Sequence, residues 1–457
     1  MSVDRPNSEV SPLSPDRAAT VAAELAQLGV DGISTDRAQL LKVSSDWSRM
    51  SPVLAEKVPP GRYVADLAVR PTTAEQVATV LRVAFEHDVP VTPRGAGTGN
   101  YGQATPFDGG LLLDLRSLDA VTVNDGGTVT AGAGARLTAI DKVVRAAERD
   151  LWIFPSTKSS TVGGFVGGGS AGTGTIEHGT TTDGYVVSAT IAPMDGSGSL
   201  FTVRGDDLAP FVHTYGVTGV LVEVEVRTDP ARDWTALYAA FDSYAALVAV
   251  HRTLLDLPQL PRLASADDPA LVPSLPSPVE LDPGRYSLRV IAESSTAGEI
   301  GRRVTAGGGD IVASLDDYAE TDRLSGMSYN HPVYFLQRAN PEQTWFHMET
   351  GGTPLWDDPD GVRAAYDGPV HLHLELMGRG PLAMVVASYR DEDAVLAGVP
   401  KLESMGIGVH SPHQWYVDRQ VELAIATART TDPKGLLNPG KLTATPPVDS
   451  RLNIGVR

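Results

Sequence analysis

Cysteine is absent from all 457 residues. That absence excludes disulfides, thiolate metal sites, iron–sulfur clusters and cysteine nucleophiles together. Basic side chains are scarce relative to acidic ones, 37 against 56, for a formal net charge of −19. Such a surface repels nucleic acid phosphates and anionic lipid, so neither is an expected partner. There is no run of ~18 apolar residues, the length a membrane helix requires. The stretch Met1–Ser14 is polar and Pro-rich, without the apolar core of a signal peptide. A cytoplasmic location is the default expectation. What is present is a globular composition, 42% hydrophobic and 20% charged, in a chain too long for one ordinary core.

Two or more domains are therefore expected. A short N-terminal extension, 1–44, holds one helix around Ala18–Leu28. From Tyr63 strands and helices alternate. "TTAEQVATVLRVAFEHD" reads as an amphipathic helix capped by Thr72 or Thr73, with Val77, Val80, Leu81 and Ala84 on its apolar face. "RLTAIDKVVRAAERD" reads likewise, with Leu137, Ile140, Val143 and Val144. Asp195-Gly196 marks a hairpin. After Thr228 the composition changes. Leu255–Gly284 is Pro-rich and reads as an irregular connection. "RYSLRVIAES", "PVHLHLELMG" and "PLAMVVASYR" read as strands, and "EDAVLAGVPKLESMG" and "QVELAIATARTTD" as helices.

Gly97-Thr98-Gly99-Asn100-Tyr101-Gly102 satisfies G-x-G-x-x-G. A Rossmann unit needs a helix to start inside that motif, so that a pyrophosphate rests on its N-terminus. Pro106 and Gly109-Gly110 stop any such helix. Gly435–Lys441, "GLLNPGK", mimics a nucleotide-triphosphate loop, but Leu442 stands where Ser or Thr is needed and Pro439 lacks an N–H. Glycine loops still let backbone N–H groups converge on an anion. A second one lies in "PSTKSSTVGGFVGGGSAGTGTIEHGTTTDG", with nine Gly in thirty residues. Two such loops, with Arg94 at the entrance of the first, suit a diphosphate held from two sides.

"PVTPRGAGTG", the second glycine loop, "YGVTGVLVEVEVR" and "DPKGLLNPGKL" occur in an order that resembles FAD-linked oxidases and dehydrogenases. These are of the vanillyl-alcohol oxidase and p-cresol methylhydroxylase type, which includes glycolate and D-lactate dehydrogenase-like flavoproteins. The resemblance spans about 45–230 and, more loosely, 325–445. It implies an α+β fold: a two-part FAD-binding domain, 45–228 plus a returning C-terminal segment 420–457, and an antiparallel-sheet substrate domain, 229–419. It implies FAD contacts from Pro93, Arg94, Gly95, Ala96, Gly97, Thr98, Gly99 and Asn100. The second loop adds Ser156, Thr161, Val162, Gly163, Gly164 and Gly167. Gly219 and Val220 pass the adenine end, and Asn438 and Lys441 return to the flavin domain. Many relatives attach FAD to a His of the first loop or a Cys of the second. Neither is present, so non-covalent FAD is expected.

The implied reaction is hydride removal from an alcohol or hydroxy-acid C–H to the flavin, followed by reoxidation through O₂ or another acceptor. It needs a group to take the hydroxyl proton. Candidates are His331 between Tyr329 and Tyr334, His373 and Glu375 on one strand face with His371, and His413 and Tyr416 near His410 and Trp415. The His371–His373–Glu375 stripe also fits a metal site or a plain polar face; no metal is expected. Arg379 and Arg390 are candidates for a substrate carboxylate, or ordinary surface cations. Two alternatives stay open: oxidative bond formation by a secondary-metabolism flavoprotein, and a non-catalytic FAD-binding electron-transfer subunit.

Overall fold

The computed structural model describes residues 13–169, 171–448 and 451–452. The expected N-terminal tail up to residue 12 and the C-terminal segment from residue 453 lie outside them. Three sheets organise the described residues. The first is parallel, with Leu111–Asp114 between Leu67–Val69 and Val91–Arg94. Its central strand is buried along its whole length, which is why "LLLD" runs apolar instead of alternating. Helix Ala74–Glu86 covers it. Thr73 caps that helix by accepting from Gln76 N, and Val77, Val80, Leu81 and Ala84 are buried. Helix Pro15–Gln27 buries Val21 and Leu25 in the same core, so the N-terminal segment is part of the first core and not an appendage.

The second sheet is antiparallel, in the order Val121–Asn124, Thr128–Gly132, Val220–Pro230, Val186–Ala192, Phe201–Arg204; Arg149–Leu151 also pairs with Val220–Pro230. Val186–Ala192 and Phe201–Arg204 are the two arms read from Asp195-Gly196, and Gly196 has φ +85°. Helix Leu137–Ala146 packs Leu137, Ile140 and Val144 inward, while Val143 is exposed.

The chain enters the third sheet after Pro230. Eight antiparallel strands run in the order Gly309–Leu315, Trp234–Phe241, Tyr286–Glu293, Leu263–Asp267, Val370–Met377, Gly380–Ser388, Trp345–Gly351, Gly408–His410. Leu263–Asp267 overturns the reading of 255–284 as irregular, because it is a fully buried inner strand. "LASAD" has almost no intrinsic strand preference; its neighbours on both sides impose the conformation. After helix Val421–Thr431 the chain returns to the first sheet. Val91 N donates to Leu436 O at 2.8 Å and Asn438 N to Val91 O at 2.7 Å. No helix among the described residues is long and apolar enough to cross a membrane.

Candidate active site

A cavity opens where the three sheets meet, with about 1810 Å³ of empty space, its solvent-open mouth included. One wall is the first glycine loop. Gly97 sits at φ +69°, and a Cβ there would lie 2.0 Å from the Arg94 guanidinium. A Cβ on Gly95 would lie 2.1 Å from Thr161 Oγ1, so the two loops touch without room for a methyl group. Thr98 Oγ1 and Ser160 Oγ join them at 2.7 Å. Among the described residues, the backbone N–H groups of Ala96, Gly97, Thr98, Gly99 and Asn100 find no acceptor. Arg94 Nε is buried and also unpartnered. Leaving the buried Arg94 Nε without a partner is costly, and an anionic diphosphate in the cavity would satisfy it together with the half-exposed loop N–H groups. The wall therefore fits a dinucleotide cofactor.

A second wall comes from the third sheet. Trp345–Gly351 pairs with Gly408–His410 so that Glu349 faces His410 in register. His410 Nδ1 donates to Glu349 Oε2 at 2.8 Å and Nε2 to Asp418 Oδ2 at 3.0 Å. Burial opposes the imidazolium charge, but Asp418 and Glu349 outweigh it and push its pKa up to about 10. Burial likewise opposes the Glu349 carboxylate, yet His410 brings it down to about 2. Tyr101, inside the first glycine loop, donates its hydroxyl to Glu349 Oε1. Burial and the neighbouring carboxylate raise that phenol well above its ordinary value, so it stays a donor. His213 lines the same region, and burial lowers it to about 3, leaving it neutral. Arg419 also lines the cavity, half-buried, with Nη2 donating to Leu452 O. The arrangement offers an ionised carboxylate, a fixed imidazolium behind it and a cation beside it.

Of the residues expected from the sequence, Pro93–Asn100, Ser156, Thr161, Gly163, Gly164, Gly167 and Val220 line this cavity. Val162 points into the core behind it, and Gly219 packs against Ile191. Asn438 and Lys441 hold the loop from behind. Asn438 Nδ2 donates to Gln103 O and Tyr215 O. Lys441 Nζ donates to Thr105 O and lies 3.7 Å from the Phe107 ring centroid.

None of the five catalytic candidates lines this cavity. His331 does not line the cavity; it bonds Gly326 O and Thr157 Oγ1, and Thr157 is the lining residue. His373 and Glu375 are fully buried inside the sheet network. His413 is spent on Ser51 Oγ and His347 O, and burial lowers it to about 3. Tyr416 packs on Trp415, outside the lining. His371 turns toward Trp345, so the stripe does not gather three ligands. Among the described residues, Glu177, His178 and Asp229 come close enough to share an ion, but Arg232 Nη2 already bridges the two carboxylates at 2.9 and 3.0 Å. Arg379 and Arg390 are exposed and away from the cavity. Tyr101, Glu349, Asp418 and Arg419 escaped the sequence reading.

Residues 65–202 match the family described as FAD binding domain. The glycolate oxidase subunit GlcD of Bacillus subtilis is 29% identical over 209 residues, covering 42% of this chain and 44% of its own length. The D-lactate dehydrogenase of Archaeoglobus fulgidus is 27% identical over 206 residues, 42% of this chain and 46% of its own length. The chain thus aligns with less than half the length of these relatives. A solved structure of alkyldihydroxyacetonephosphate synthase superposes with a TM-score of 0.74, covering 96% of this chain and 87% of that one, at 14% identity. That likeness is one of fold. Residues 65–202 therefore form an FAD binding domain. FAD is the cofactor this domain implies, and the glycine-loop lining of the cavity lies within the matched residues.

Proposed function

We propose that the protein is an FAD-dependent oxidase or dehydrogenase that oxidises the hydroxyl-bearing carbon of a small hydroxy acid or related alcohol. The observation that carries this reading is the ionised Glu349 in the same cavity lining as the unsatisfied N–H groups of Ala96–Asn100. The relatives named glycolate oxidase and D-lactate dehydrogenase support the substrate class.

Bound FAD supplies the two-electron acceptor; reoxidation falls to O₂ or another acceptor. The remaining tasks belong to the chain. Glu349 accepts the hydroxyl proton at Oε2 or Oε1, while His410 and Tyr101 keep both oxygens oriented. His410, a cation at neutral pH, offsets the carboxylate charge and does not act as base. Arg419 holds the substrate carboxylate. Leu382 and Met384 supply apolar lining at the same end. Attachment of the cofactor is non-covalent.

The test is anaerobic mixing of the purified yellow protein with a panel of short 2-hydroxy acids and primary alcohols. A hydroxy acid that bleaches the flavin band supports the reading. A panel that leaves the band unchanged favours an electron-transfer role without turnover.

A further inference from the structure

Four charged side chains lie fully buried in a line through the third sheet: Arg289, Asp267, His373 and Glu375. They come from three neighbouring strands, and the register places Asp267 opposite His373 and Ser265 opposite Glu375. Arg289 Nε and Nη2 donate to Asp267 Oδ2 at 3.0 and 2.9 Å. His373 bonds Asp267 Oδ1 through Nδ1 and Glu375 Oε1 through Nε2, each at 2.8 Å. Burial works against the His373 charge, but the two carboxylates hold its pKa up at about 8.

This line is a poor device for stability. Removing such charges from water is expensive, and well-packed apolar side chains of similar volume often serve as well. Arg289 Nη1 is moreover left without a partner. What the line does accomplish lies at its far end. Glu375 Oε1 also accepts from the backbone N–H of Tyr329 at 2.7 Å. Tyr329 has φ +55°, a left-handed conformation that a bulky side chain avoids. Its hydroxyl is pinned too, donating to Gly172 O at 2.9 Å. The next residue, Asn330, is half-buried and lines the cavity.

We infer that Arg289, Asp267, His373 and Glu375 are positioning residues: through the Glu375–Tyr329 bond they lock a left-handed corner that presents the Asn330 amide to the cavity. Asn330 is then a hydrogen-bonding group for the oxygen-bearing end of the substrate. That last step rests on the hydroxy-acid reading; the lock itself does not.

The experiment uses the full-length, FAD-loaded protein. His373→Leu and Glu375→Leu are introduced together, which removes the acceptor of the Tyr329 N–H without stranding a single charge. Amide exchange is read for residues 326–334, with residues 161–168 of the second glycine loop as reference. Exchange at the corner should rise roughly 10–100-fold, the loss expected for one charge-assisted hydrogen bond, while the reference and the FAD content stay unchanged. In anaerobic flavin reduction, this pair and Asn330→Ala should each slow the step, and their combination should cost no more than the larger effect alone. Unchanged exchange at 326–334 overturns the inference. A uniform rise across the third sheet also overturns it, because it marks a merely structural role, and so do additive kinetic effects. Should the paired variant not fold, Glu375→Gln gives the same reading with a smaller local rise, and no rise there overturns the inference equally. If no substrate reduces the flavin, the hydroxy-acid reading fails while the exchange result still decides the lock.

Discussion

The two walls of the cavity do polar work with different parts. The glycine-loop wall uses main-chain donors: Ala96–Asn100 hold N–H groups free, and Arg94 is its one cation. The third-sheet wall uses side chains whose charge depends on neighbours: against the cost of burial, His410 lowers Glu349 and Asp418, and those two carboxylates raise His410. Main-chain donors do not titrate, so the first wall can grip a fixed charge over a wide pH range. The neighbouring donors keep Glu349 ionised and fix both its oxygens, the state in which a carboxylate can accept a proton. In the proposed reading the first wall holds the cofactor and the second carries the chemistry.

The largest effect should come from breaking the holding wall. Gly97→Val places a branched side chain at φ +69°, against the Arg94 guanidinium, and should give colourless protein. Absorbance of the purified variant checks it. Next, Glu349→Gln should keep its FAD and slow anaerobic flavin reduction by roughly 10²–10⁴-fold, the range for a lost acid–base group. Arg419→Met should act mainly on substrate affinity, raising KM by roughly 10–100-fold with a smaller change in kcat, if it pairs with a carboxylate. Steady-state kinetics on the best hydroxy acid separates the two.

A subtler contrast uses pH. The folded pKa of His410 is raised to about 10 from an ordinary value near ~6.5. Its stabilising contribution is therefore fully present below ~6.5 and disappears as pH rises through about 10. Relative to wild type, His410→Gln should lose most stability near the lower limit and least at the upper one. Chemical denaturation of both proteins across that window measures the difference. Glycine-loop variants should show no such trend. The smallest effect belongs to His331→Ala. Its ring touches Thr157 and Gly326 behind the lining, so reduction should slow only a few-fold.

The holding wall was legible in the sequence because its signal is local. Consecutive glycines beside Arg94 announce a main-chain anion cradle without any knowledge of distant contacts. The chemical wall was not, because its signal is long-range. Glu349 and His410 become partners only through antiparallel pairing of Trp345–Gly351 with Gly408–His410. His410 and His413 look equivalent on the page, yet one faces the cavity and the other is buried against Ser51. The "HLHLEL" alternation put His373 and Glu375 on one face, but it could not tell that both are taken up by Asp267 and Ser265 of Leu263–Asp267, a strand with no strand-like composition. Tyr101 was hidden within the glycine motif, read as a spacer.

The most direct test of the division between the walls is one anaerobic stopped-flow comparison of wild type and Glu349→Gln, both loaded with FAD, against the same hydroxy acid. The account predicts equal flavin content in the two proteins, rapid bleaching in wild type and bleaching slowed by at least roughly 10²-fold in the variant. Equal bleaching rates would contradict the assignment of Glu349 as proton acceptor, and with it the claim that the third-sheet wall carries the chemistry.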